Sequence, residues 1–334
     1  MTCGHSMNVQ ALAIVAAVTV IGGGLAPLRG AARFDTKTAS FSISFSGETS
    51  AYRDMATFVL PNAPLTVEVV DGRDGEYTFK SDQGALVASG SRAWRWTAPA
   101  PPGKYDLQIS HSDGKDDKGD KDAITLHVFV MTPAADIRNG YLNGYRIGTY
   151  PAKPLNGNPL YLPPKGFVEV TKKNRDDKLT PHFKLEQFLC KEDLSDRYPK
   201  YVVVKERLLL KLEAILQHVN DDLGVKTDSL HVMSAFRTPY YNKAIGDVLY
   251  SQHQWGSAAD IFIDPHDKNR MEDLDGNRIV DIGDSKFLYD RIEDMLALKT
   301  YQRFEGGMGY YPATAAHPPF VHIDVRGSKA RWKG

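Results

Sequence analysis

The sequence predicts a multidomain protein: an N-terminal all-β sandwich of immunoglobulin-like type followed by a C-terminal α+β domain. Three observations lead there. Short segments alternating apolar and polar side chains recur from about Phe41 to Thr132. A helical pattern of leucines begins near residue 204, and short apolar strands then alternate irregularly with helices up to residue 325. Hydrophobic residues make up 42% and charged residues 25% of 334 residues, the composition of a folded chain with room for more than one core.

The N-terminal strands are read from period-two alternation, because successive side chains of a strand face opposite sides. Phe41-Ser-Ile-Ser-Phe is the clearest. Leu65 to Val70, Glu76 to Phe79, Ala93 to Thr97, Lys104 to Ile109 and Ala123 to Val130 repeat the theme. Asp71-Gly72, Asp74-Gly75, Pro101-Pro102-Gly103 and Asp113-Gly114 punctuate them as turns. This spacing defines a sandwich over residues 34–133 that serves as a targeting or spacer module, or simply packs beside its neighbour. The alternating charges from Ser112 to Asp122 read as a solvated hairpin tip. Residues 134–165, rich in Gly, Pro, Asn and Tyr, read as a linker that packs on a neighbour.

Residues 166–334 form the second domain. Leu208, Leu212, Ile215, Leu216, Val219 and Leu223 share one helical face, and Gly224 stops the helix. Leu230 to Ser234, Ser257 to Ile263 and Phe320 to Val325 read as strands, and Lys286 to Leu298 as an amphipathic helix. Without regular βαβ alternation the class is α+β.

Residues 1–33 stand apart. Ala11 to Ala26 is apolar or small except for Thr19, and is shorter than the roughly 20 residues of a spanning helix. Small residues follow, as at a signal-peptidase site, so the segment reads as a signal peptide or an N-terminal anchor. That places the protein outside the cytoplasm, in the periplasm or cell envelope. Of two cysteines, Cys3 lies in this segment and Cys190 reads as a buried thiol, so no disulfide framework is expected. Lys+Arg and Asp+Glu both total 41, which gives no net field to recruit nucleic acid or an anionic membrane surface. Membrane contact is thus confined to the N-terminal segment, should it act as an anchor.

Chemistry concentrates in three segments: Ser234 to Asn242, Ser251 to Asp260, and Phe320 to Gly327. A hydrolytic zinc site takes about three protein ligands and keeps one position open. His253, Asp260 and His322 are of the right types. His253 with a carboxylate seven residues on is weak evidence alone, since acidic residues are 41 of 334. The surroundings strengthen it. Gly256 and the small residues after it permit a tight turn into a strand, and His322 and Asp324 share one strand face.

In this order the segments resemble the M15 family of zinc D,D-carboxypeptidases and murein endopeptidases, in the branch ending in a His-Ile-Asp motif and a basic-aromatic tail. The pattern Ser-x-His-x-x-Gly-x-Ala-x-Asp is met at Ser251, His253, Gly256, Ala258 and Asp260. Ser-x-x-Arg-Thr-Pro-x-x-Asn is met at Ser234, Arg237, Thr238, Pro239 and Asn242. The resemblance spans roughly residues 180–332. It implies an antiparallel sheet with flanking helices, shared in outline with the Hedgehog signalling domain. It also implies zinc held by His253, Asp260 and His322, and peptidoglycan peptides as substrate. Arg237 then holds a substrate carboxylate or stabilises an oxyanion, and Ser251 supports the ligand loop.

One departure matters. Where several M15 subfamilies carry an Asp or Glu base three residues before the last histidine, this chain has Pro319. Asp324 is then either the general base or a carboxylate that orients a ligand, with His317 and Glu305 as further candidates for the base. Without a base, the chain would be a zinc-binding envelope protein. Asp273-Leu-Asp275-Gly-Asn277 resembles the start of a calcium loop, but position 12 is Asp284 and not the usual glutamate, so a polar turn is expected.

Overall fold

The computed structural model describes residues 34–112, 122–192 and 196–334. Residues 1–33, with Cys3 and the segment read as a signal peptide or anchor, and residues 113–121 of the charged stretch read as a hairpin tip lie outside the described residues. No helix among them is long and apolar enough to cross a membrane.

The β-rich half is built from β1 (Thr38–Phe45), β2 (Glu48–Tyr52), β3 (Asp54–Val59), β4 (Pro64–Asp71), β5 (Glu76–Ser81), β6 (Ala85–Ala88), β7 (Ala93–Thr97), β8 (Gly103–Ser112) and β9 (Ala123–Val130). They form a five-stranded sheet, β2-β1-β4-β7-β6, and a four-stranded sheet, β3-β9-β8-β5. Alternation decides what is buried. Phe41, Ile43 and Phe45 of β1, Val67 of β4, Trp96 of β7, Leu107 of β8 and Leu126 of β9 all enter the core. Pairing is antiparallel except for β3 with β9, which run parallel.

Strand β10 (Thr132–Pro133) leads into the connector, which carries two more two-residue strands, β11 (Tyr141–Leu142) and β12 (Tyr145–Arg146). The connector is pinned to the C-terminal half at two points. Tyr150 donates to the Gln254 carbonyl at 2.8 Å, and Trp255 Nε1 donates to the Leu162 carbonyl at 3.0 Å.

In the C-terminal half, β13 (Gly166–Val170) pairs with β14 (Lys200–Val202) and β10. The main sheet has β15 (His231–Ser234), β16 (Ala258–Phe262), β17 (Gly307–Tyr311), β18 (Phe320–Asp324) and β19 (Ala330–Lys333), in the order β15-β16-β18-β17-β19. Helices α1 (Glu206–Asp222), α2 (Pro239–Ala244) and α3 (Ile282–Ala297) accompany it. Besides β13 and β14, two strands of the main sheet escape the sequence patterns. β17 is Gly-Met-Gly-Tyr-Tyr, and its glycines hide the β signal. β19 had read only as a basic-aromatic tail. They are coupled: a Cβ at Gly309 would collide with the Trp332 indole, so the glycine makes room for the last strand's aromatic ring. Helix α3 begins four residues before the predicted start, because Asp281 and Asp284 cap it reciprocally. The oxygens of Asp284 accept from the backbone N–H groups of Leu274 and Asp281, at 2.6 and 2.8 Å.

Helix α1 is buried on nearly every side over its first three turns, because both halves pack on it. Glu206 accepts from Thr57 Oγ1 at 2.9 Å and Phe58 N–H at 3.3 Å, and Arg207 donates to Glu48 at 2.7 Å. Elsewhere along the contact, His127 is sandwiched between carboxylates, with Nδ1 2.7 Å from Asp106 and Nε2 3.2 Å from Asp54. Lys178 reaches Asp54 at 3.1 Å, and Lys104 bridges Asp106 and Asp177 at 3.9 and 3.6 Å. Both ring nitrogens of His127 face anions, so the imidazolium form fits. Its pKa is raised: burial opposes the charge, but the two aspartates overcome it. The hydrogen bond from His127 is the main cause that brings Asp54 down to about 2.

The network therefore stabilises the junction most in mildly acidic solution. The Asp54 contribution is complete above about pH 4 and is lost towards pH 2; the His127 contribution is complete below about pH 6.5 and fades as pH rises through its elevated pKa. Thermal melting of the wild type should show this window, and His127→Gln should remove the loss on its alkaline side.

Candidate metal centre

Strand pairing builds the floor of the site. In the β16–β18 ladder Asp260 stands directly opposite His322, and Ala258 opposite Asp324. Cross-strand partners share a face, so carboxylate and imidazole are neighbours by register alone. His253 comes from the turn Gln252–Trp255, which ends at Gly256 in the left-handed conformation, φ 63°. A side chain at Gly256 would run into the Val203 carbonyl, so both dihedral and space require glycine there. That bend folds His253 back over β16.

The three side chains meet through specific atoms. His253 Nε2 lies 3.1 Å from His322 Nδ1 and 3.2 Å from Asp260 Oδ1, and His322 Nδ1 lies 2.9 Å from the same oxygen. The outer nitrogens face oxygen atoms. His253 Nδ1 donates to the Ala235 carbonyl at 2.6 Å, and His322 Nε2 faces Asp324 Oδ2 at 3.5 Å, beyond a good hydrogen bond. With a proton on each outer nitrogen, the inner nitrogens turn their lone pairs onto a carboxylate oxygen. Three buried acceptors so close together repel unless a proton or a cation lies among them. The donor set, two imidazoles and one carboxylate, is that of a hydrolytic zinc site with an open position, so these residues fit a metal.

Electrostatics separate the two rings. Burial pushes the His253 pKa down, which keeps that ring neutral as a ligand must be. Burial opposes charge on His322 as well, but the carboxylates of Asp260 and Asp324 outweigh it and raise its pKa, so a metal ion must displace a proton from that ring. Asp260 stays far below the usual carboxylate range; burial opposes this, but His253, His322 and Arg237 outweigh it. Arg237 donates to Asp260 through Nη2, to Asp247 through Nη1 at 2.8 Å and to Ser234 through Nε at 2.9 Å. Every nitrogen of Arg237 therefore has a partner inside the protein, and its evident work is to fix Asp260.

Two further predicted residues fall elsewhere than expected. Asp324 has no exposed surface and does not line the cleft. Arg326 grips its carboxylate with Nε at 2.8 Å and also with Nη2, while the Gly307 N–H donates at 2.7 Å. Burial opposes the charge, but His322 and then Arg326 outweigh it and hold the Asp324 pKa far below the ordinary range. The Ser251 hydroxyl makes no hydrogen bond to the ligand loop among the described residues. Ser257 supports that loop instead, donating to the Gln252 carbonyl at 3.1 Å and side chain at 2.6 Å. Position along the motif could not separate two serines at either end of one turn.

A cleft of about 660 Å³ opens over the three ligand residues, a size that admits a small peptide. Ile245, Asp247 and Val248 stand on one wall and Tyr311, His317, Arg326 and Trp332 on another. Asp247 and Tyr311 carried no signal in the sequence, and Trp332 only that of an aromatic tail, since fold contacts bring them here. The acidic group Asp273, Asp275 and Asp284 is close enough to hold a cation, but its geometry is that of the polar turn and helix cap described above.

Asp324→Asn keeps the shape but removes the charge facing His322. It should weaken zinc affinity about 10- to 100-fold without unfolding the chain, as read by competition with a chromogenic chelator.

No curated protein matches the chain. Residues 181–286, which contain Arg237, His253 and Asp260, match the family model described as Peptidase M15. His322 lies beyond the matched stretch and is brought to the others by the β16–β18 ladder. The match supports the M15 peptidase family, metallopeptidase-type hydrolases that are zinc-dependent in general.

Proposed function

We propose that the chain is an exported zinc peptidase that hydrolyses peptide bonds in peptidoglycan stem peptides or their cross-links, as a D,D-carboxypeptidase or murein endopeptidase. The observation that carries this reading is the convergence of His253 Nε2, His322 Nδ1 and an Asp260 oxygen at the floor of an open cleft. The apolar run from Ala11 to Ala26 supports export to the periplasm or envelope. Two β-sheets sharing one core support the immunoglobulin-like class for the N-terminal half.

Zinc, when bound, supplies Lewis acidity towards water and the scissile carbonyl. The chain's own residues do the rest. His253, Asp260 and His322 hold the ion, and Arg237 fixes the ligand carboxylate. Asp324 takes the orienting role of its two readings: a carboxylate stabilised so strongly as an anion is a poor proton acceptor near neutral pH. His317 is better placed. It lines the cleft, its ring meets Phe320 edge-on at 5.0 Å, and Nδ1 lies 2.9 Å from the Pro318 carbonyl. With Nδ1–H donating to that carbonyl, Nε2 keeps a lone pair to receive a proton from water and return it to the leaving amine.

A second reading is a zinc-binding envelope protein without turnover. Pro319 and the locked Asp324 favour it, because among the described residues no carboxylate of the usual kind stands free over the site.

Purified protein should hold about one zinc per chain and release defined products from muropeptides, read by mass spectrometry with and without a chelator. His253→Ala should abolish both metal and hydrolysis; full activity in that variant would remove the site. His317→Ala should keep its zinc and lower kcat about 100-fold. Tight muropeptide binding by the wild type with no product would establish the binding protein instead.

A further inference from the structure

The wall of the cleft formed by β17 and β19 contains an unspent proton. Trp332 Nε1 lies 2.6 Å from the Tyr311 hydroxyl. An indole nitrogen only donates, so the phenol oxygen accepts and its own proton must point elsewhere. No acceptor for that proton is present among the described residues, and Tyr311 lines the cleft together with His253, Asp260 and His322. The hydroxyl is also held in place. The Tyr311 ring stacks flat on Phe320, centroids 4.5 Å apart and planes within 6°, and the Trp332 indole sits 5.2 Å from the His322 ring. Burial pushes the phenol pKa up, and the negative charge of Asp260 and Asp247 adds to this, so the proton stays on through neutral pH. Arg237, the other donor expected over the site, spends one N–H of each nitrogen on Asp260, Asp247 and Ser234.

We propose that Tyr311 is a catalytic residue whose hydroxyl donates a hydrogen bond to the carbonyl oxygen of the scissile amide. This rests on the peptidase reading. As the oxygen of water bonds to the carbonyl carbon, the carbonyl π electrons move onto oxygen, and the proton of water passes to His317 Nε2. The Tyr311 proton stays on its own oxygen while its hydrogen bond strengthens. The carbonyl then re-forms, the C–N bond breaks, and His317 returns the proton to the amine. A fixed donor aimed at developing charge contributes more in the transition state than in the bound substrate.

The test compares two probes on zinc-loaded protein by calorimetry: a dipeptide phosphinate, which carries a tetrahedral oxyanion, and the D-alanyl-D-alanine dipeptide, which does not. Tyr311→Phe should weaken the phosphinate about 100-fold, lower kcat by a similar factor, and leave dipeptide affinity, KM and zinc content unchanged. Placing 3-fluorotyrosine at position 311, a more acidic donor in the same shape, should tighten phosphinate binding. Unchanged phosphinate affinity in both variants would overturn the assignment, as would equal weakening of both probes by Tyr311→Phe. Failure of the peptidase reading shows separately, as a wild-type protein that binds phosphinate but cuts no muropeptide.

Discussion

The pairing of β16 with β18 is the constraint on which the site depends. Its register sets Asp260 against His322, and a slip of one residue would turn both side chains to the opposite face. Several features hold that register from outside. Lys211, fully buried on α1, donates to the Asp324 carbonyl at 2.9 Å and so fixes the end of β18. The Gly307 N–H and Arg326 fix the Asp324 side chain. Arg237 fixes Asp260 from the β15 side. The ligand cluster is therefore prepared by its neighbours, and three mutually repelling acceptors are kept together by groups that are not themselves ligands.

Much of this was legible in the sequence. Period-two alternation located β1, β4, β5, β7, β8 and β9, but it missed β2, β3 and β6, the last of which is exposed along its whole length. The leucine pattern located α1 to within two residues at either end. His253, Asp260 and His322 were legible through the residues around them. Gly256 can be nothing larger at its bend, and the two-residue spacing of His322 and Asp324 puts both on one face. What was hidden was hidden for physical reasons. Strand β17 is half glycine and owes its conformation to its neighbours. Trp332 takes its place only because Gly309 leaves room for it. Asp324 sits on the predicted face, but Arg326, two residues on, closes over it, and spacing along a strand says nothing about which ion pair forms.

The same distinction separates the two arginines. Arg237 stands at the position where a substrate-binding guanidinium was expected, yet Asp247, ten residues on, and Asp260 take up its donors. A cation between two anions is an internal strut. Arg326 shows the cleft a positive edge while its counter-ion Asp324 is fully covered. One wall thus presents a cation and a phenol, and the other the exposed side chains of Ile245 and Val248.

Helix α1 has a mechanical consequence. It is fastened to the β-rich half through Glu206 and Arg207 and to the main sheet through Lys211, within one and a half turns. Swinging the β-rich half away would strip Glu206 and Arg207 of their partners together, so the contact resists hinge motion at this helix. Widening of the cleft then falls to its rims, the stretch from Ile245 to Tyr250 and the loop from Pro312 to Pro319, and movement there carries Asp247 or His317 with it.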